Sequence, residues 1–299
     1  METRRSECSR IKLSQAVPAF KSTVALIALG LICIGLSGCA PPLLSPAAPA
    51  APIASLPPGP NWQLAFGDEF DQPVVDTHKW DTCFYFVDNI DGAPGCTQDG
   101  LANVFRADDV LPQADGTLLL RAQKRSGLAY GRPYTYTTGM LSSFGHYSFQ
   151  YGYAEIRLKA TKGRGLWDAF WLMPASKKWT AEIDVLEILG HETNVVHTTL
   201  HYTSSKGDMQ FTGQPFAAPV DLAKDFHTYA INWTKDSLTW YVDGVETARQ
   251  TEHIPQEPMY LIATMAVGDA ASWSGAPDAT TSLPSHIAID YIRVYQRKP

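Results

Sequence analysis

From Trp62 onward no long segment carries the apolar repeat of an amphipathic helix, so the chain has no helical face with which to build a core. It has instead short runs rich in β-branched and aromatic residues, broken by Gly, Asp, Asn and Pro. These run over residues 117–123, 147–158, 169–173, 182–189, 196–202, 227–233, 238–242, 260–266 and 286–295. Each reads as a strand. Asp243-Gly244 falls between 238–242 and 245–248, a strong hairpin signal, and Asp115-Gly116 marks a further turn. So many strands in succession imply a sandwich or barrel, and the length of 61–299 suits one all-β domain of two packed antiparallel sheets. Hydrophobic residues make up 45% and charged residues 18%, enough for a large core and against wholesale disorder.

The first sixty residues follow another pattern. Arg4, Arg5, Arg10, Lys12 and Lys21 precede an uncharged stretch over 23–36, too short for a comfortable membrane span and suited to a signal peptide. It ends in Leu36-Ser37-Gly38-Cys39, which resembles the lipobox of bacterial lipoproteins. The expected division is a signal peptide over 1–38, a Pro/Ala-rich tether over 39–60 beginning at a lipidated Cys39, and a domain over 61–299. That puts the protein outside the cytoplasm, anchored by lipid to the bacterial cell envelope at the outer membrane. Cys8 and Cys33 fall in the removed segment, leaving Cys83 and Cys96 as the expected disulfide. A loop of that size contributes roughly 3 kcal/mol on the chain-entropy model. No Cys/His grouping has zinc spacing. The net charge is −6 with no basic stripe, which excludes nucleic acid as the main partner.

Glu182-Ile183-Asp184-Val185-Leu186-Glu187 is the segment with chemistry in it. A period of two puts Glu182 and Asp184 on one face, with Ile183 and Val185 on the other. Glu187 lies at an odd offset from Glu182, so a regular strand would aim it into the core, where an unpaired carboxylate is very costly. A one-residue β-bulge near Val185-Leu186 returns it to the face of the other two. Three crowded carboxylates do not ionise freely, and their pKa values separate. Such a set can hold one acid ionised as a nucleophile and another protonated as a general acid. Retaining glycosidases do this with carboxyls about 5–5.5 Å apart. Trp167, Phe170, Trp171 and Trp179 precede the acids, and exposed aromatic faces are what the apolar face of a pyranose stacks on.

The segment resembles the catalytic signature of glycoside hydrolase family 16, in the bulged version of its laminarinase-like, bacterial endo-β-1,3(4)-glucanase branch. Phe66-Gly67-Asp68-Glu69-Phe70-Asp71 resembles the family's opening strand, Tyr151-Gly152-Tyr153-Ala154-Glu155-Ile156-Arg157 and 165–174 its cleft strands, and Val196-His197-Thr198-Thr199-Leu200-His201-Tyr202 the strand after the acids. Asp225-Phe226-His227-Thr228-Tyr229, Trp240-Tyr241-Val242-Asp243-Gly244 and Ile289-Asp290-Tyr291-Ile292-Arg293-Val294-Tyr295 follow in family order. The resemblance implies a β-jelly-roll sandwich with a concave substrate cleft, acting as a monomer on a polysaccharide. It implies Glu182 as nucleophile, Glu187 as acid/base and Asp184 as helper, with Trp167, Trp171, Trp179, His201 and Trp273 against sugar. His191 and His197 are left as structural or surface residues. The implied reaction is endo-hydrolysis of β-1,3- or mixed β-1,3-1,4-glucan with retention. The same mechanism on a succinoglycan-like exopolysaccharide or a galactan, transglycosylation, and a lectin-like binder on the same sandwich are the alternatives. No catalytic cofactor is implied. Some members hold a structural calcium near the first and last strands, for which Asp290 is the one matching carboxylate. Thr264, Asp269 and Asp168 depart from the family pattern at positions expected near the cleft.

Overall fold

The computed structural model describes residues 57–84, 96–98, 100–129 and 131–298. The expected signal peptide, Cys39 and the tether as far as residue 56 lie outside them. In chain order the strands are β1 (Trp62–Asp68), β2 (Asn103–Phe105), β3 (Val110–Pro112), β4 (Leu118–Ala129), β5 (Arg132–Thr138), β6 (Met140–Ser142), β7 (Gly152–Lys159) and β8 (Leu166–Pro174). There follow β9 (Ala181–Leu189), β10 (Val195–Thr203), β11 (Met209–Ala217), β12 (His227–Trp233), β13 (Leu238–Val242), β14 (Val245–Gln250), β15 (Met259–Val267) and β16 (Ser285–Arg297). A single 3-10 turn over Ala107–Asp109 is the only helical element among the described residues.

The strands form two sheets. One has the order β14-β13-β12-β7-β16-β4-β5-β2, with β1 added to β16 and β3 to β4; the other has the order β11-β10-β9-β8-β15-β6. All pairings are antiparallel except the short β2–β5 contact. This is the expected all-β sandwich. Its core is filled from both sheets, by Ile156, Leu158, Ile231 and Ile292 from the larger and Phe170, Leu172, Ile183, Val185, Leu186 and Leu261 from the smaller. Burial of that much apolar surface is the main stabilising term of such a fold.

Two strand readings need correction. The run expected over 147–158 becomes a ladder only from Gly152, and before it Phe149 makes an isolated bridge to Met259. Alternation along 155–159 predicts a wet outer face for β7, carrying Glu155, Arg157 and Lys159. Arg157 and Lys159 are partly exposed, but Glu155 is 1% exposed. The reason is position: β7 lies between β12 and β16, and Tyr291 and Tyr295 of β16 crowd Glu155 closely enough for its charge to raise both phenols.

The smaller sheet also carries a second apolar cluster on the face turned away from the core. Phe84, Cys96 and Phe105 fold down onto Met140, Ala169, Trp171, Met173, Tyr260 and Ile262. It walls one side of that face and leaves the β9–β10–β11 side open. Cys83 packs against this cluster. Both cysteines are unbonded here, and their two side chains interact directly.

Candidate active site

The register of β9 against both neighbours decides where the acids point. Against β8, Phe170 pairs with Leu186 but Trp171 pairs with Asp184, so one residue of β9 is skipped. Against β10, His197 pairs with Glu187 and Thr199 with Asp184, which again makes β9 one residue longer than its partner. The bulge therefore sits at Val185-Leu186, where the sequence predicts it. Val185 and Leu186 both go into the core, and Glu182, Asp184 and Glu187 emerge on the opposite face. A regular strand would have aimed Glu187 into the core; the extra residue of the bulge turns it back to the face of Glu182 and Asp184.

Something beneath the strand holds this irregularity. Trp240, buried on β13 of the other sheet, donates its indole N–H across the core to the Asp184 carbonyl at 2.8 Å. No local signal in the sequence marks Trp240 for this. Only the packing of β13 beneath β9 reveals it.

On the open face the side chains are tightly linked. Trp179 donates from its indole nitrogen to Glu182 Oε2 at 3.0 Å. His201 Nε2 lies 3.1 Å from Asp184 Oδ2, and His201 stands directly opposite Glu182 in the β9–β10 ladder. Burial first, and then the Asp184 charge, push Glu182 up to about 8, against the pull of His201 and the Trp179 donor. Burial raises Asp184 to about 7. The two carboxyls share a hydrogen bond and titrate as a pair. Glu187 is raised well above the ordinary carboxylate range, by burial first and then by the charges of Asp184 and Glu182. The indole N–H of Trp167, which has no partner in hydrogen-bond geometry, is near enough to offset this in part. At neutral pH such a site retains protons, which a general acid requires.

The remaining expected contacts divide. Trp179 and Trp273 are exposed, at 55% and 49%. Trp167 is half-buried and meets Trp273 edge-to-face at 5.6 Å. Trp171 is not available to a ligand: it is 7% exposed and packs against Phe84 at 5.9 Å. Asp168 is also not a cleft residue. Strand alternation aims it, with Phe170 and Leu172, into the core, where it accepts from the Thr161 amide and hydroxyl at 2.6 and 2.7 Å. Burial raises it to about 7. Thr264 lies in the same cross-strand row as Glu187, one strand beyond Ala169. Asp269 caps the turn before Trp273 by accepting from the Ala271 and Ser272 amides. His197, left aside in the sequence reading, stands opposite Glu187 and 4.5 Å from the Trp273 ring. Its signal was the parity it shares with His201.

The only grouping among the described residues with the makings of a metal site is Glu182, Asp184 and His201 themselves. Asp290 does not fit a calcium ion, because its carboxylate is already paired with Arg157 at 2.5 Å. Arg157 stands on β7, the strand next to β16 in the same sheet, and its guanidinium neutralises that carboxylate.

An all-β sandwich with three linked carboxylates on an open sheet face, flanked by exposed indoles, defines a carbohydrate-active class of protein. The model of the glycosyl hydrolases family 16 matches residues 98–293, and the chain belongs to that family. It is 32% identical over 259 residues to a β-glucanase of Rhodothermus marinus, covering 79% of this chain and 86% of that one. It is 36% identical over 163 residues to the endo-1,3-1,4-β-glycanase ExsH of Rhizobium meliloti; that match covers 54% of this chain but spans only 34% of the relative's length. The catalytic domain of an endo-1,3-β-glucanase (laminarinase) from Thermotoga petrophila superposes with a TM-score of 0.69 at 31% identity, over 80% of this chain and 99% of that one.

Proposed function

We propose that the protein is a retaining endo-glycosidase that hydrolyses β-1,3- or mixed β-1,3-1,4-glucan by double displacement. The observation that carries this is the bulge, which gathers Glu182, Asp184 and Glu187 on one open face beside exposed indoles. The glucanase relatives support the substrate class.

In the first step Glu182 attacks the anomeric carbon while Glu187 gives its proton to the departing glycosidic oxygen. In the second, Glu187 takes a proton from water, and the water oxygen displaces Glu182. Glu182 must be ionised to attack, yet burial and the Asp184 charge favour its protonated form in the free protein. The proton the pair shares therefore passes to Asp184 as Glu182 bonds to carbon. His201 beside Asp184, and the Trp179 donor on Glu182, orient the two groups.

Digestion of laminarin, lichenan and agarose with sizing of the products tests the substrate. Shortened β-glucan chains that first appear as the β-anomer are expected; cleavage of agarose alone refutes the glucan assignment. Glu182→Ala is expected to abolish turnover with the fold intact, and full activity in that variant refutes the nucleophile.

We extend the proposal to the protein's location and covalent state. Cys39 carries lipid, the chain is held at the envelope as a monomer, and Cys83 and Cys96 form a disulfide after export. The contact between the two thiols supports the last point. Blocking lipoprotein signal peptidase should leave the precursor uncut; normal cleavage elsewhere rejects the anchor.

A further inference from the structure

Among the described residues, three rings of Trp, Phe or Tyr are exposed: Trp179, Trp273 and Phe211. Two of them touch the acid site, Trp179 through Glu182 and Trp273 through Trp167 and His197. The third, Phe211, touches none of the three acids. Phe211 is 63% exposed and lies on β11, the edge strand of the smaller sheet. A large apolar ring left in water on an edge strand calls for a ligand.

Its register fixes which face it occupies. Phe211 pairs with His201, and His201 pairs with Glu182. Residues directly opposite each other across antiparallel strands share a face, so Glu182, His201 and Phe211 form one row across three strands. The Phe211 and His201 rings are 5.9 Å apart. With strands about 4.8 Å apart, Phe211 stands roughly 10 Å from Glu182 across the sheet, beyond the reacting sugar. The next row is low. It runs from Asp184 through Thr199 to Gly213, and Gly213 has no room for a side chain, since a Cβ there would lie 2.4 Å from the Thr198 carbonyl oxygen. Phe211 therefore rises beside a shallow floor continuous with the acids, on the side that the Phe84 cluster leaves open.

We propose that Phe211 is the platform of an outer sugar subsite on β11, stacking against the apolar face of a glucosyl unit at least one residue removed from the bond that is cut. This deepens the glucanase reading and rests on it. Such a subsite adds affinity only for chains long enough to reach it, and so favours polymer and longer oligosaccharides over short ones.

The test is the affinity of β-1,3-gluco-oligosaccharides of graded length, measured by calorimetry in the inactive Glu182→Gln protein. Phe211→Ala in that background is expected to weaken the long oligosaccharides roughly tenfold, the loss of one well-placed contact residue, and the shortest ones far less. Phe211→Trp should preserve the length dependence. Leu64→Ala, another exposed apolar residue but on β1 of the other sheet, should leave every affinity unchanged. Equal affinities of Phe211→Ala and its parent for all lengths overturn the subsite while leaving the glucanase reading intact. If the parent binds none of these sugars, the substrate class falls and the subsite falls with it.

Discussion

Replacing Trp240 by Phe asks whether the bulge in β9 is held from beneath. Trp240 is 4% exposed, and its indole N–H bonds the Asp184 carbonyl at 2.8 Å inside the sandwich. Phe keeps the apolar ring and removes the donor. A buried acceptor deprived of its donor costs about 1–3 kcal/mol, and the smaller ring adds a modest cavity term. For a domain of this size each kcal/mol moves the melting midpoint by about 2–4 °C, so a fall of roughly 2–12 °C is expected. Trp233→Phe supplies the control. It makes the same chemical change to another buried indole, whose bond goes to the Pro255 carbonyl at 3.2 Å and not to β9. Both variants should lose stability by thermal denaturation. Only Trp240→Phe should also lose turnover, by roughly ten- to a hundredfold, because an ångström of misplacement between reacting groups has that effect. The loss should fall on kcat more than on KM. If Trp240→Phe lowers the midpoint as Trp233→Phe does and leaves kcat at the control level, the bulge keeps its geometry without the indole and the reasoning fails.

Three further outcomes follow from the same contacts. Asp168 has a folded pKa near 7, raised by burial, above its unfolded value of about 3.9. Its contribution is intact below the unfolded pKa and declines as pH rises toward 7, because the unfolded chain then releases the proton first. Asp168→Asn should flatten the pH dependence of stability across that window, by up to about 1.4 kcal/mol per pH unit; a slope equal to wild type would place the titration elsewhere. Asp184→Asn removes the charge that helps raise Glu182, so the acidic limb of kcat/KM should move to lower pH as kcat falls, and an upward move would contradict the pairing. Alkylation of the exported protein without reductant, read by mass spectrometry, should leave Cys83 and Cys96 unlabelled, whereas two labelled thiols would mean that their contact does not mature into a bond.

What could be read from the sequence was whatever a period of two encodes. The β9 face, the odd offset of Glu187 and the need for a bulge all follow from counting along one strand. The same counting would have moved Asp168 into the core, since it shares parity with Phe170, but its place in the family pattern suggested the cleft instead. Long-range packing was not legible. Trp171 has the parity of a cleft residue, yet Phe84, far upstream, lies over it. Trp240 looks like any core aromatic until β13 is placed beneath β9. Strand β11 escaped notice because Gly213 and Pro215 interrupt its alternation, which an edge strand tolerates and a central one does not. With β11 unseen, Phe211 had no face to belong to.

The bulge also links stability to chemistry. By sending both Val185 and Leu186 into the core, it anchors β9 firmly on the inner side at the point where the outer side must hold three acids together. Burial there raises all three pKa values, and the neighbouring carboxylate charges add to it at Glu182 and Glu187. In the proposed mechanism the protonated forms meet that penalty: a proton on Glu187 for the leaving group, and one shared by Glu182 and Asp184 that passes to Asp184 when Glu182 attacks. A regular strand would have avoided the repulsion by turning Glu187 inward, at the larger cost of burying it without a partner. The apolar core beneath β9 is thus what makes an acid-rich outer face tolerable, and Trp240, which joins the two at the Asp184 carbonyl, is where a single side chain can test that dependence.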